Sequence, residues 1–375
     1  MIYLDNAATT KPYKEALESF NKTSENYFFN TASIHQSGKT ASKLLESARQ
    51  QILDLMSLKD YDLVFTSSAT ESNNIAIQST LRRKKAFGST ILTSELEHPS
   101  IVNVLEEMKN EGFNVKCIQT NSAGQVDIEH FKSILDSDTI FVTTLAVNNI
   151  IGSVQPIEEM VKILKDFPKV HFHVDATQAI GKADIDYRGV DTVSISGHKF
   201  NSVKGVGGLF VKKLANLSPI QYGGGHEKNI RSGTVNLPAI TSMAKALRLT
   251  LENARAVNQR LSKFNDQVRE SVSDLKSIYV QKKSAPYIIN LSFVGAKGEV
   301  VVNALSERGI LVSTTSACAS KLTTLNETLL AIKMDEAVIE GSIRISMGKD
   351  TNQEDVDELI KALKEVYEEL GDVLA

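Results

Sequence analysis

The chain has 375 residues, 42% of them hydrophobic and 23% charged, a balance that excludes disorder and collagen-like character. A formal charge of -3 provides no global positive field, which argues against nucleic acid or a membrane as a direct partner. Two cysteines, Cys117 and Cys318, cannot make a disulfide framework, and Met1-Ile2-Tyr3-Leu4-Asp5 has neither a charged leader nor a long apolar one, so a cytoplasmic protein with reduced thiols is expected.

From about residue 40 to 215, short apolar runs alternate with amphipathic stretches. The pattern predicts strands at 63–66, 90–93, 115–119, 140–145, 170–174, 192–195 and 208–211, rich in Ile, Val, Phe and Leu as strands buried on both faces are. Helices are predicted at 41–56, 70–84, 100–110, 128–135 and 157–166, where apolar residues recur every three or four positions. This is an α/β pattern with a mostly parallel central sheet. The stretch from 237 to about 274 reads as one long helix, a natural bridge to a second unit. Beyond it, strand-like runs at 287–293, 311–314 and 342–347 interleave with helices near 300–307, 326–332 and 353–370, which suggests α+β. The expected division is a large α/β domain over 14–252 and a smaller α+β domain made of 1–13 and 253–375. The basic run at 82–85 reads as a solvated helix end.

Three segments carry chemistry. Ser196-Gly197-His198-Lys199 follows the 192–195 strand, and a lysine at a strand end of an α/β sheet lies where ligands bind. Its amine can form a Schiff base with an aldehyde cofactor, above all pyridoxal 5'-phosphate. The 170–174 strand ends in Asp175, a carboxylate able to keep a pyridine nitrogen protonated, and Gln178 follows one short turn later. Thr66-Ser67-Ser68-Ala69-Thr70-Glu71 passes from a strand into a helix through small polar residues, where backbone N–H groups and the helix dipole suit a phosphate; Ser68 and Glu71 also have capping-box spacing. The order of phosphate turn, ring aspartate and lysine is more specific than any one piece.

These segments resemble the cysteine desulfurases of the class V aminotransferase fold, in the iron–sulfur-cluster branch. The likeness runs through Leu4-Asp5-Asn6-Ala7-Ala8-Thr9-Thr10, Asn30-Thr31-Ala32-Ser33, Ala69-Thr70-Glu71-Ser72-Asn73-Asn74, Glu97-His98, Val147-Asn148-Asn149, His173-Val174-Asp175-Ala176-Thr177-Gln178, Ser196-Gly197-His198-Lys199, Arg231-Ser232-Gly233-Thr234 and Ser316-Ala317-Cys318. It implies a fold type I, aspartate aminotransferase-like enzyme that turns L-cysteine into L-alanine and leaves a persulfide on Cys318. Lys199 would join the cofactor aldehyde, Asp175 would pair with the pyridinium nitrogen, and His98 would stack on the ring and move protons. Asn149 and Gln178 would lie near the phenolic oxygen; Ala69, Thr70, Ser196 and His198 would bind the phosphate. Thr234 would reach the phosphate of a second subunit, which requires a homodimer. Arg344, assisted by Asn30, would grip the substrate carboxylate through its planar guanidinium.

Cys318 lies in a run of small polar residues at 313–321 that reads as an exposed loop, whereas Cys117, inside an apolar strand, is expected to be a buried inert thiol. No metal is expected. Ser68, Thr31, Ile150 and Asn201-Ser202-Val203 depart from the glycine, proline, acid and aromatic-Gly-Pro common in the family. The 26 positions from Cys318 to Arg344 fit the branch with a long catalytic loop. The end at Ala375 points away from a cluster scaffold and toward a dedicated sulfur acceptor such as a tRNA-thiolation enzyme. Two rivals stay open: selenocysteine lyase or another class V reaction, and a non-catalytic partner in a sulfur-transfer complex.

Overall fold

A computed structural model of the chain describes residues 1–315, 325–371 and 374. Cys318 and its immediate neighbours lie outside the described residues.

The first half runs β1 (Ile2–Tyr3), α1 (Lys14–Asn26), α2 (Gln36–Leu55), β2 (Asp62–Thr66), α3 (Ala69–Lys84), β3 (Thr90–Ser94), α4 (Pro99–Asn110), β4 (Asn114–Ile118), α5 (Ile128–Ile134), β5 (Thr139–Leu145), α6 (Ile157–Leu164), β6 (His171–Asp175), β7 (Thr192–Ser196) and β8 (Gly207–Val211). The second runs α7 (Leu237–Val272), β9 (Ile278–Val280), β10 (Ile288–Phe293), α8 (Gly298–Glu307), β11 (Ile310–Leu311), β12 (Ser313–Thr314), α9 (Glu327–Ala331), α10 (Glu336–Glu340), β13 (Ser342–Ser346) and α11 (Gln353–Glu369).

Seven strands form one sheet in the order β2-β8-β7-β6-β5-β3-β4, and β8 alone runs against the others. Every residue of β3, β5, β6, β7 and β8 is buried, which explains why they carry no Lys, Arg or Glu. β2, β3, β5, β6 and β7 run in one direction, so their carboxyl ends open on the same edge, the edge where such sheets bind ligands.

The long helix of the sequence reading is α7, 36 residues, packed against α1, α2 and α11. Pro238 sits in its first turn, where a missing N–H costs nothing. A second, antiparallel sheet follows in the order β12-β13-β10-β9, while β1 pairs with β11 and Asp5 bridges to Ser346. The N-terminal segment is therefore bonded to the C-terminal sheet. It also reaches the turn after β7, since Thr10 N–H donates to His198 O at 3.0 Å and Tyr13 N–H to Asn201 O at 2.9 Å. Asn201 holds a left-handed φ of 66°, a conformation asparagine adopts more readily than most other non-glycine residues.

One expectation is corrected. Cys117 is exposed rather than buried, because β4 is the edge strand of the large sheet and turns part of its surface to solvent. Enclosure of its sulfur and the nearby Glu95 carboxylate still push the thiol above its ordinary range, so it is a poor nucleophile.

Candidate active site

The strand ends converge on a cavity of about 270 Å³ lined by residues that follow β2 (Ser68, Ala69, Thr70), β3 (His98, Ser100), β5 (Val147, Asn149), β6 (Thr177, Gln178) and β7 (His198, Lys199), with Asp175 and Ser196 at the strand ends themselves.

At one end lies the start of α3. Ser68 caps the helix, its hydroxyl accepting from Glu71 N–H at 3.3 Å, and Glu71 returns the favour one residue earlier by accepting from Ser67 N–H at 2.6 Å. Arg231 Nε donates to Glu71 at 2.7 Å. Burial works against the Glu71 charge, but Arg231 and the Ser67 donors outweigh it and hold the carboxyl below its usual range. Gly207 of β8 presses on this turn: a Cβ there would meet Ser68 backbone atoms at 2.7 and 2.9 Å.

Asp175 accepts from Asn73 Nδ2 at 2.8 Å and from Thr177 N–H at 2.9 Å. The Thr177 hydroxyl is buried without a hydrogen-bond partner among the described residues. Lys199 Nζ donates to Ala7 O at 2.6 Å and Ala8 O at 2.8 Å. Burial and the Arg344 charge bring its pKa down to about 8, against the opposing pull of Asp175 and Asp5. His198 meets Thr9 Oγ1 at 3.1 Å, and burial beside Lys199 lowers it to about 4. Gln178 donates to Ala7 O at 2.8 Å, leaving one amide hydrogen uncommitted.

Thus His98, Ala69, Thr70, Asn149, Asp175, Gln178, Ser196, His198 and Lys199 are brought together. Arg344, on β13, is next to them: its Nη1 donates to Asn149 O at 3.0 Å and its Nη2 pairs with Asp5 at 2.7 Å. Asn30 and Thr234 are exposed and do not line this cavity. The Asn30 amide oxygen accepts from its own loop, at Ala32 N–H.

The Aminotransferase class-V family matches residues 2–359. The chain belongs to that family. It is 39% identical over 380 residues to a NifS/IcsS protein homolog of Lactobacillus delbrueckii subsp. bulgaricus, covering all of this chain and 99% of that relative. It is 34% identical to the cysteine desulfurase IscS of Dictyoglomus turgidum, over 98% of this chain and 95% of the relative. A solved NifS-like protein superimposes with a TM-score of 0.92 at 30% identity, covering 98% of this chain and 100% of its own. These likenesses agree with a fold type I enzyme built on a mostly parallel sheet.

Within this class V chain, four site residues had no role in the sequence reading. Asp5 partners Arg344, Asn73 bonds Asp175, Ser100 joins both Asn73 and His98, and Glu97 is buried. Burial and then Asp175 drive Glu97 up to about 8, opposed by donors at Ser94 and Leu145. Asn73 and Glu97 fell inside recognisable strings, yet nothing in a string distinguishes a buried partner from a surface one.

Proposed function

We propose that the protein is a pyridoxal 5'-phosphate-dependent cysteine desulfurase that converts L-cysteine to L-alanine and passes the sulfur, through Cys318, to an acceptor protein. The observation that carries this reading is the gathering of Lys199, Asp175 and His98 in one cavity at the start of α3. The donor set suits the cofactor. The first amides of a helix face the cavity beside Ala69 and Thr70, with the backbone of β8 close behind them. A buried Thr177 hydroxyl, unpartnered among the described residues, and the Asp175 carboxylate belong to residues that also line the cavity.

Ala69, Thr70, Ser196 and His198 would hold the phosphate, Asp175 the pyridine nitrogen, Asn149 and Gln178 the phenolic oxygen, and Lys199 the aldehyde carbon. Bound there, pyridoxal phosphate would supply an electron sink for charge developed at the substrate Cα. Lys199, with a pKa brought near neutrality, is fitted to be neutral when a proton must be taken. His98, at the mouth of α4, is placed to hold a proton at the cavity. Arg344 orients the substrate carboxylate, while Asn30 lies outside the cavity of this chain. The Cys318 thiolate takes the substrate sulfur as the Cβ–S bond breaks, so that L-cysteine and a thiol become L-alanine and a persulfide. Thr234, exposed on this chain, would complete the phosphate site of a second copy in a homodimer. No described helix is long and apolar enough to cross a membrane; together with the low cysteine count, this supports a cytoplasmic enzyme feeding a cluster scaffold or a tRNA-thiolation enzyme.

Addition of L-cysteine and a reductant should shift the cofactor absorption band and release sulfide and alanine in equal amounts. Cys318→Ser should keep the cofactor band and lose persulfide. Cysteine that leaves the band unchanged, or full sulfur transfer by Cys318→Ser, contradicts the proposal.

A further inference from the structure

The strands and helices beneath the cavity bury a chain of polar side chains with one self-consistent arrangement of hydrogens. Asn73, on α3, is fully buried. Its Nδ2 lies 2.8 Å from Asp175 Oδ2 and 2.9 Å from Ser100 Oγ; its Oδ1 lies 3.0 Å from His173 Nε2. A carboxylate accepts only, so the Asn73 NH₂ must face Asp175, and its oxygen must take a proton from His173. His173 then accepts at Nδ1 from the Thr192 hydroxyl, 2.9 Å away, and that hydroxyl accepts from His171 Nε2, also at 2.9 Å. Burial lowers the pKa of both histidines, consistent with neutral rings.

The same logic runs the other way. Ser100 Oγ accepts from Asn73, which frees its own proton for His98 Nδ1 at 2.9 Å. The Ser100 backbone N–H also donates to Nδ1, at 3.1 Å, because His98 is the cap of α4. Two donors converge on one ring nitrogen. A proton on Nδ1 would expel the backbone N–H, which can only donate, and would turn the Ser100 hydroxyl from donor to acceptor, so the ring's hydrogen belongs on Nε2.

We propose that Asn73 and Ser100 are positioning residues that tie Asp175 to His98 and hold His98 as its Nε2–H tautomer, so that resting His98 offers the cavity an N–H donor rather than a lone pair. Its part in the reaction proposed above is then on the donating side, and removal of the substrate proton falls to Lys199. The inference rests on that reading for its catalytic meaning, but the tautomer does not. Burial, with Lys199 after β7, further disfavours the imidazolium, while Asp175 on β6 favours it.

Long-range ¹H–¹⁵N spectra of the full-length, cofactor-loaded, ¹⁵N-labelled chain test this, with His98 assigned by comparison with His98→Gln. The expected pattern is an unprotonated Nδ1 and a protonated Nε2 at neutral pH. Ser100→Ala, which spares Asp175, should raise the pH at which His98 titrates and lower kcat about tenfold at unchanged KM; Ser100→Thr should restore both. Asn73→Ala should move the titration in the same direction. A protonated Nδ1, a fast mixture of tautomers, or an unmoved titration in Ser100→Ala overturns the inference. A correct tautomer in a protein that does not consume cysteine would overturn only the proposed function.

Discussion

Arg344 and Asp5 are joined across the two ends of the chain: Nη2 lies 2.7 Å from Oδ1, with side chains 7% and 21% exposed. The Asn149 carbonyl takes Nη1, and Nε has no partner among the described residues, so the guanidinium is fixed with donors to spare. A carboxylate substrate need not displace Asp5 to bind. Asp5→Asn keeps the shape and removes the charge that orients Arg344. A charge-assisted hydrogen bond of about 1.5 kcal/mol corresponds to about a tenfold rise in KM for L-cysteine, with kcat nearly constant. Steady-state kinetics that show a fall in kcat alone would contradict this role.

Lys199 must be neutral to attack an aldehyde, and its pKa stands at about 8. Capture of pyridoxal phosphate by cofactor-stripped protein should accelerate as pH rises through about 8 and level off above it. Burial is the largest cause and Arg344 the next, so Arg344→Gln should move the midpoint to higher pH. Stopped-flow absorbance reads both. A midpoint near that of a solvated lysine would show that the amine is not enclosed.

Lys182 is a buried amine outside the cavity lining that feels the charges of Lys199 and Arg344. Its Nζ lies 4.6 Å from the centre of the Tyr287 ring and has no hydrogen-bond partner among the described residues. Burial, then Lys199 and Arg344, lower it from 10.5 to about 7. The unfolded chain therefore holds this proton between about pH 7 and 10.5 while the folded chain does not, so stability rises with pH across that window. Lys182→Met should raise Tm at pH 7 by at least about 2 °C and flatten the rise toward pH 10. A lower Tm with the slope intact would assign the lysine a partner instead.

Arg49 and Glu227 form a buried pair, Nη1 to Oε2 and Nη2 to Oε1 both at 2.9 Å, with side chains 6% and 2% exposed. Glu227 also accepts from Phe65 N–H at 2.7 Å. The pair anchors three consecutive non-glycine residues in left-handed conformation, Glu227, Lys228 and Asn229, on the path to Thr234. Glu227→Gln leaves the buried guanidinium with only the largely exposed Glu46 carboxylate, 3.1 Å from Nε, as counter-charge, and should cost about 3 kcal/mol, read as a lower denaturant midpoint at constant slope. A loss under about 1 kcal/mol would show that solvent reaches Arg49.

The large sheet was legible because its inner strands are buried on both faces, so runs such as 140–145 carry no charged residue and are mostly apolar. α7 was legible by length. The smaller elements were not: β9 has three residues and β1 two, and neither is long enough to show a period. The chemistry at strand ends was readable in Lys199 and Asp175, since a charged residue closing an apolar run is conspicuous. Asn73 and Ser100 were not, because a polar residue on a helix is ordinarily solvated, and only packing reveals that Asn73 faces a carboxylate. Cys117 was misread for a related reason: a strand's composition does not say that it lies at an edge.

The most direct measurement is reduction of the loaded protein with borohydride, followed by peptide mapping. The account predicts a single pyridoxyl adduct on Lys199, lost in Lys199→Ala. Fully loaded protein that carries the adduct on Lys182 or elsewhere, or on no lysine at all, would contradict it.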